Sequence, residues 1–428
     1  MINAFLILFG KFFSFVSTLL NLGSGSTWPG HIALKINPHF IKNLLQNSQT
    51  KLIFIAGTNG KTTTASLVQT ALTENGKTVI QNKSGANLLN GIASTLLMNT
   101  NSLGKLTTNY AIFEVDENTL PLLLKQTTPE SIVLLNLFRD QLDRYGEVNT
   151  ISANWIKALS LLSEKTTLIL NADDPQIAHL ATATKAAIIY FGLQQAQFNK
   201  TKLQHAADSV YCPHCGSPLV FDALAFSHLG DWRCSTCSFK RPLLEQSSFL
   251  IYPLPGLYNK YNVLAAAATL KHQGLSEQQI NDAFTDFTPA FGRQEIVKYK
   301  NKQLQLFLSK NPTSFNESYR TIQELGGQTL LLVLNDRIPD GRDISWIWDI
   351  DVHDLHKFKK IIISGDRVYD MALRIKYDGY TNYETFEDLS DAIHEGVKLI
   401  NDNETLFILP TYSAMLDVRK IITGKKIL

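Results

Sequence analysis

The most constraining feature of the chain is a short apolar run, Lys51 to Ala56 (KLIFIA), that ends in Gly57-Thr58-Asn59-Gly60-Lys61-Thr62. A strand, a turn with two glycines and a helix starting at lysine and threonine form one unit of an α/β sheet. The glycines let the backbone curl so that its N–H groups point at an anion, and the helix N-terminus adds partial positive charge. Two residues separate the glycines, where the widespread phosphate loop has four. The chemistry is the same. Lys61 can bridge the outer phosphates of ATP, Thr62 can ligate Mg2+, and Thr63 and Thr64 extend the polar start of the helix. Gly57, Thr58, Asn59, Gly60, Lys61, Thr62 and Thr63 are therefore the expected nucleotide-binding residues.

A second acidic element fits beside it. Glu114-Val115-Asp116-Glu117 closes the strand-like run Tyr110 to Val115. Carboxylates at the carboxyl end of a strand, next to a phosphate loop, suit Mg2+. Alternation along a strand predicts that Glu114 and Asp116 face the same side, with Glu114 as the metal ligand.

Further strand-like runs at 131–137, 166–170 and 187–191 alternate with helical stretches such as 152–163, which argues for a parallel sheet covered on both faces. Residues 198–245 break the rhythm and read as an inserted module. After Phe287-Thr288-Pro289 come new strands at 304–308, 329–334, 360–364 and 405–409. The expected organisation is a lead-in segment at 1–50, a central ATP-binding domain at 51–290 with the insertion, and a smaller α/β domain at 291–428.

All four cysteines lie in the insertion, as Cys212-x₂-Cys215 and Cys234-x₂-Cys237 with eighteen residues between the pairs. Two tight pairs in a long chain indicate a four-thiolate structural Zn2+ site in a reducing compartment, with no open position for substrate. Disulfides and free thiols are the competing readings. The net charge of +2 gives no polyanion-binding surface, so nucleic acid is not an expected partner. Met1 to Leu22 is apolar, interrupted by Lys11, and reads as a buried or surface-lying amphipathic helix. A cleaved signal or anchor is the rival, weakened by the missing positive start.

These motifs, with others in the same order, resemble the Mur ligase family, which includes folylpolyglutamate synthetase. Leu142 to Gly146 (LDRYG) resembles its L-D-R-H-G segment and Asn171 to Pro175 (NADDP) its N-A-D-D segment. Gly256 to Asn262 (GLYNKYN) resembles G-x-H-N-x-x-N, which implies that Asn259 and Asn262 lie near adenine. Gly292-Arg293-Gln294-Glu295 resembles G-R-x-E, which implies that Arg293 lies near the phosphates. The run Phe307 to Pro312 (FLSKNP) lacks the Asp and His of the family's D-Y-A-H-N-P, which puts the usual amino-acid acceptor site in doubt. Lys157 stands two residues from the position of a lysine carbamylated in amino-acid-adding members, so it carries that role only weakly.

The cysteine insertion and the segment Asp343 to Asp349 (DISWIWD) are similar to the MurT-type branch, the ligase subunits of lipid II isoglutaminyl synthases. The resemblance implies a Mur-ligase-like central domain with a Rossmann-like C-terminal domain. It implies ATP-dependent amidation of the D-glutamate α-carboxylate of the lipid II stem, with ATP, Mg2+ and structural Zn2+. It implies a heterodimer with the glutaminase GatD, at the cytoplasmic face of the membrane and in peripheral contact with it through the substrate. Asp349 would orient the partner's catalytic histidine, with Asp343 and Asp351 as competitors, and Lys61 and Glu114 would serve phosphoryl transfer. Trp346 and Trp348 would anchor the interface; spacing alone would place them on one face of a strand. A ligase that adds an amino acid and a non-catalytic nucleotide-binding scaffold are the competing functions.

Overall fold

The run that opens the phosphate loop forms β1 (Lys51–Ala56), the centre of a six-stranded sheet. A computed structural model describes residues 6–12, 27–46, 48–82, 85–101, 104–140, 148–198, 200–204, 207–289 and 292–424. The other strands of the sheet are β2 (Val79–Gln81), β3 (Tyr110–Val115), β4 (Ser131–Leu134), β5 (Thr167–Asn171) and β6 (Ala187–Phe191). Their order is β2-β3-β1-β4-β5-β6, and all pairs are parallel.

Both faces of this sheet are covered, as its continuous apolar runs require. Phe54, Phe113, Leu134 and Leu170 point to one face, where the helix Leu89–Asn99 supplies Leu96 and Leu97. Ile53, Ile55, Ile112, Val133 and Ile169 point to the other, under the helices Lys61–Glu74 and Leu257–His272. The sheet order turns at β1, between β3 and β4. Their carboxyl ends bound the crevice in which an open parallel sheet binds ligands.

The insertion contains an antiparallel hairpin, β7 (Leu219–Phe226) and β8 (Leu229–Cys234). Asp173, fully buried at the end of β5, ties it to the main domain. The carboxylate accepts from Arg241 Nε at 2.7 Å, Tyr261 Oη at 2.7 Å and Leu193 N at 3.0 Å. Removing one partner of a buried ion pair leaves the other charge stranded. Asp173→Ala should therefore cost about 3–5 kcal/mol of stability, read as a lower urea midpoint.

The second sheet holds β9 (Arg293–Tyr299), β10 (Lys302–Phe307), β11 (Thr329–Val333), β12 (Lys360–Ser364), β13 (Tyr383–Thr385) and β14 (Thr405–Pro410). Its order is β13-β12-β11-β14-β10-β9, with only β9 antiparallel to its neighbour. At the far end of the chain from it, residues 6–12 are helical, with Leu6 and Ile7 buried and Leu8 and Phe12 exposed. The rest of the 1–22 run, apart from that helix, lies outside the described residues, as does the LDRYG segment at 142–146. Among the described residues, no helix is long and apolar enough to cross a membrane.

Candidate nucleotide site and its surroundings

The phosphate loop has the backbone its sequence requires. Gly57 has φ 133° and Gly60 φ 93°, a region L side chains rarely occupy. A Cβ on Gly60 would stand 2.1 Å from Asn262 Oδ1, and one on Gly57 2.9 Å from Asn136 O. The loop is fastened to the segment that follows β4. Thr58 N donates to Asn136 O at 3.0 Å and Asn59 N to Asn136 Oδ1 at 2.9 Å. Thr58 Oγ1 receives Phe138 N at 3.0 Å and donates to Phe138 O at 3.1 Å.

Thr62 and Glu114 meet as the sequence suggests, with Thr62 Oγ1 donating to Glu114 Oε2 at 2.7 Å. Gln81 donates to the other carboxylate oxygen at 3.2 Å. Burial pushes the Glu114 pKa up, while the Thr62 hydrogen bond, Arg293 and Lys61 work against the shift. A desolvated carboxylate and a hydroxyl at the mouth of a phosphate loop are hard oxygen donors, a set that fits Mg2+.

The pairing expected from strand alternation is corrected here. β3 ends at Val115, so Asp116 does not continue its pleat. Asp116 instead turns the chain: its carbonyl receives Thr119 N and Leu120 N, and its carboxylate receives Asn118 N at 3.1 Å. Glu117 is the acid that faces the loop, 3.3 Å from Lys61 Nζ. Lys61 also donates to Gly57 O and to Thr58 O. Burial raises the Glu117 pKa, with Lys61 and Lys310 opposing.

The second sheet closes over this loop. Asn311 caps the helix Pro312–Glu324 and reaches Asn59 Oδ1 at 3.2 Å. Lys310 Nζ is paired with the Asp140 carboxylate. Burial disfavours the charge on Lys310, but Asp140 and Glu117 outweigh it and raise its pKa above the usual lysine value. Arg293 lines the cleft between the sheets, where burial lowers its pKa and Glu114 opposes the change. Glu117, Asp140 and Lys310 were missing from the expected site. The visible signal was polar residues directly after β3 and β4, and a lysine in place of the family's histidine.

The cleft has an empty volume of about 730 Å³, including its part open to solvent. Asn59, Gly60 and Thr63 floor one end; Phe226 and Leu229 from the inserted hairpin wall it. Asn259 and Asn262 are both buried and bonded, Asn262 Nδ2 donating to Asn259 Oδ1 at 3.0 Å. Asn262 lies directly against Gly60.

The four cysteine Sγ atoms lie within 4.8 Å of one another, and none is in a disulfide. Cys237 N and Thr236 N each donate to Cys234 Sγ at 3.3 Å and pull that thiol's pKa down. N–H groups aimed at a thiolate and four converging sulfurs are what a tetrahedral thiolate site needs.

Asp349 ends a short 3-10 turn, Ser345–Asp349, so Trp346 and Trp348 do not lie on a strand. Trp348 is half-exposed and packs edge-on against Tyr377; Trp346 packs against Phe315. Asp349 Oδ2 accepts from Arg139 Nη1 at 2.9 Å. Asp343 receives Ser345 N at 2.8 Å, and Asp351 is held by Arg320 and Gln204, both at 2.8 Å. Lys157 is exposed and lines a separate groove with Asn118 and Leu161.

Residues 55–270 match the Mur ligase middle domain and residues 308–415 the MurT ligase C-terminal domain. The chain is 36% identical to the MurT subunit of lipid II isoglutaminyl synthase (glutamine-hydrolyzing) from Staphylococcus aureus strain COL, covering 82% of this chain and 83% of that one. It is 32% identical to the Streptococcus pneumoniae subunit of the same description, over 96% and 95%. A pseudomurein peptide ligase type C from Methanothermus fervidus superposes with TM-score 0.67 at 21% identity, over 89% of this chain and 80% of that one. MurF ligase from Thermotoga maritima, in complex with ADP, gives 0.63 at 13%, over 92% and 83%.

Proposed function

We propose a function from the premise that this chain belongs to the Mur ligase family, in its MurT type. It is the ATP-dependent ligase subunit that amidates the D-glutamate α-carboxylate of the lipid II stem peptide to D-isoglutamine. The nitrogen is ammonia, released from glutamine by a glutaminase partner of the GatD type. The observation that carries the reading is a set of charged groups at the phosphate loop, Thr62 bonded to Glu114, Lys61 against Glu117 and Lys310 on Asp140, with Arg293 lining the adjoining cleft and residues 308–415 matching the MurT ligase C-terminal domain.

A carboxylate resists amines because oxide is a poor leaving group. Phosphorylation by ATP changes that: the carboxylate oxygen attacks the terminal phosphorus, ADP leaves, and ammonia then expels phosphate from the acyl phosphate. The loop N–H groups hold the outer phosphates, and the lysines and Arg293 neutralise charge that grows during transfer. Thr62 and Glu114 would hold Mg2+, which screens the phosphate oxygens when bound. Asn259 and Asn262 frame the base end of the nucleotide. Cys212, Cys215, Cys234 and Cys237 would hold Zn2+, which fastens the hairpin and takes no part in chemistry. Residues 51–290 form the ATP-binding domain, 291–428 the partner-binding domain, and 1–50 the lead-in.

Asp349 serves the partner's catalytic histidine, with Trp348 at the rim of the interface. The lipid substrate places the enzyme at the cytoplasmic membrane face. The test is lipid II with Mg-ATP and ammonium, read by the mass of the stem peptide. Exchange of a hydroxyl for an amino group supports the reading; gain of a whole residue, or no change, refutes it. In the two-subunit complex, Asp349→Asn should lower the ratio of glutamine-driven to ammonia-driven amidation.

A further inference from the structure

We propose that Arg139 is the positioning residue for Asp349 and wires it to the phosphate loop. The inference rests on the reading that Asp349 serves the glutaminase. Asp349 lies in the C-terminal domain, yet the only hydrogen bond to its carboxylate among the described residues comes from the central domain, from Arg139 Nη1 to Oδ2 at 2.9 Å. Oδ1 is left to accept from an incoming imidazole N–H, the task of the third member of a catalytic triad.

Arg139 is itself fixed. Its backbone N donates to Asp208 Oδ2 at 2.9 Å and its Nε to Asp208 Oδ1 at 2.5 Å, so one planar guanidinium bridges two carboxylates. The turn that carries Asp349 is anchored from the other side. Ile347 and Ile350 are buried, and Arg374 donates to both of their carbonyls at 3.0 and 2.9 Å. Asp349 is thus held in place by its own domain and aimed by the other.

The four residues 136–139 make the wire. Asn136 and Phe138 are bonded to Asn59 and Thr58 of the phosphate loop, and Arg139 follows directly. The next residue, Asp140, holds Lys310 across the same domain junction. Residues of both domains line the cleft, Asn59 and Gly60 from one and Thr313 and Ser314 from the other, so a nucleotide bound there would set the separation that Arg139 and Asp349 span. The glutaminase then runs at full rate only when the ligase is loaded.

The experiment uses the two-subunit complex, with glutaminase kcat and glutamine KM measured with and without a non-hydrolysable ATP analogue. Arg139→Gln should lower glutaminase kcat in the analogue's presence by on the order of 10- to 100-fold, as a misplaced catalytic group does, with KM unchanged. It should also erase the response to the analogue. Ammonia-driven amidation should stay at the parental rate, and Arg139→Lys should recover part of the loss. Parental glutaminase kinetics in Arg139→Gln, while Asp349→Asn is impaired, overturns the proposal. So does an equal loss of ammonia-driven amidation, which makes Arg139 a structural strut. Full glutaminase activity in Asp349→Asn overturns the reading beneath it instead.

Discussion

Lys61→Ala should lower ATP-dependent amidation by at least about 100- to 1,000-fold, the range seen when one preorganised charge-stabilising donor is removed. The ammonium sits among Gly57 O, Thr58 O and the Glu117 carboxylate, at the loop that would receive the phosphates. Those acceptors hold it in the cleft before nucleotide arrives, so it exchanges partners rather than being drawn in from water. Arg293 and Lys310 remain in the variant, and some charge stabilisation survives. Neither reaches the position at the first turn of the helix Lys61–Glu74. Removal of the lysine also leaves Glu117 buried without that cation, so circular dichroism should accompany the rate. A folded Lys61→Ala protein working at the parental rate refutes the assignment.

Loss of the metal proposed for the four cysteines should be the other large effect, and it should reach the nucleotide. A two-stranded hairpin is marginal by itself. This one has a small core of its own, Cys212, Leu219, Trp232 and Cys234 packed with Ala178. In small thiolate sites the binding of zinc is a major part of the folding free energy. The same hairpin supplies Phe226 and Leu229 to the cleft, and Phe226 packs on Tyr261 at 5.7 Å between ring centres. Burying one such side chain is worth about 1.5–3 kcal/mol. Cys234→Ser, or stripping with a chelator, should therefore weaken ATP-analogue binding by about 10-fold or more. Unchanged binding by the stripped protein, or purified protein with no zinc by elemental analysis, contradicts this.

The loop, Glu114 and the cysteine set were readable because each depends on local chemistry. Gly57 and Gly60 are needed for a curl that only glycine tolerates at low cost, and CxxC pairs have few other uses. β3 and β12 fall where their apolar runs stand, because strands buried on both faces leave no polar alternation to blur their ends; β6, a half-buried edge strand, also falls on its apolar run. The turns that follow the strands were less legible. The Asp116 carbonyl receives the first N–H groups of the Thr119–Leu124 helix, so the chain turns directly after Val115 and Glu117 is the acid beside Lys61. That outcome depends on which backbone N–H groups need an acceptor, and a periodicity argument does not see it.

Contacts across the domain junction were the least legible. Lys310 meets Asp140 across 170 positions, and Arg139 meets Asp349 across 210. No local pattern encodes such pairs. The segment after β4 meets the segment after β10 in the first pair and the Ser345–Asp349 turn in the second. The tryptophans show the converse error: a spacing of two fits a strand, but it fits a single 3-10 turn as well, and Ile347 is the buried residue between them.

The central claim is that a carboxylate oxygen captures the terminal phosphoryl group of ATP in the cleft beside Lys61. It is tested by amidating lipid II whose D-glutamate α-carboxylate is labelled with heavy oxygen, in Mg-ATP and ammonium, and weighing the released inorganic phosphate. One labelled oxygen per amide formed should appear in the phosphate, because the carboxylate oxygen leaves bound to phosphorus. Amide formation with unlabelled phosphate would mean that no acyl phosphate is made, and the account would be wrong.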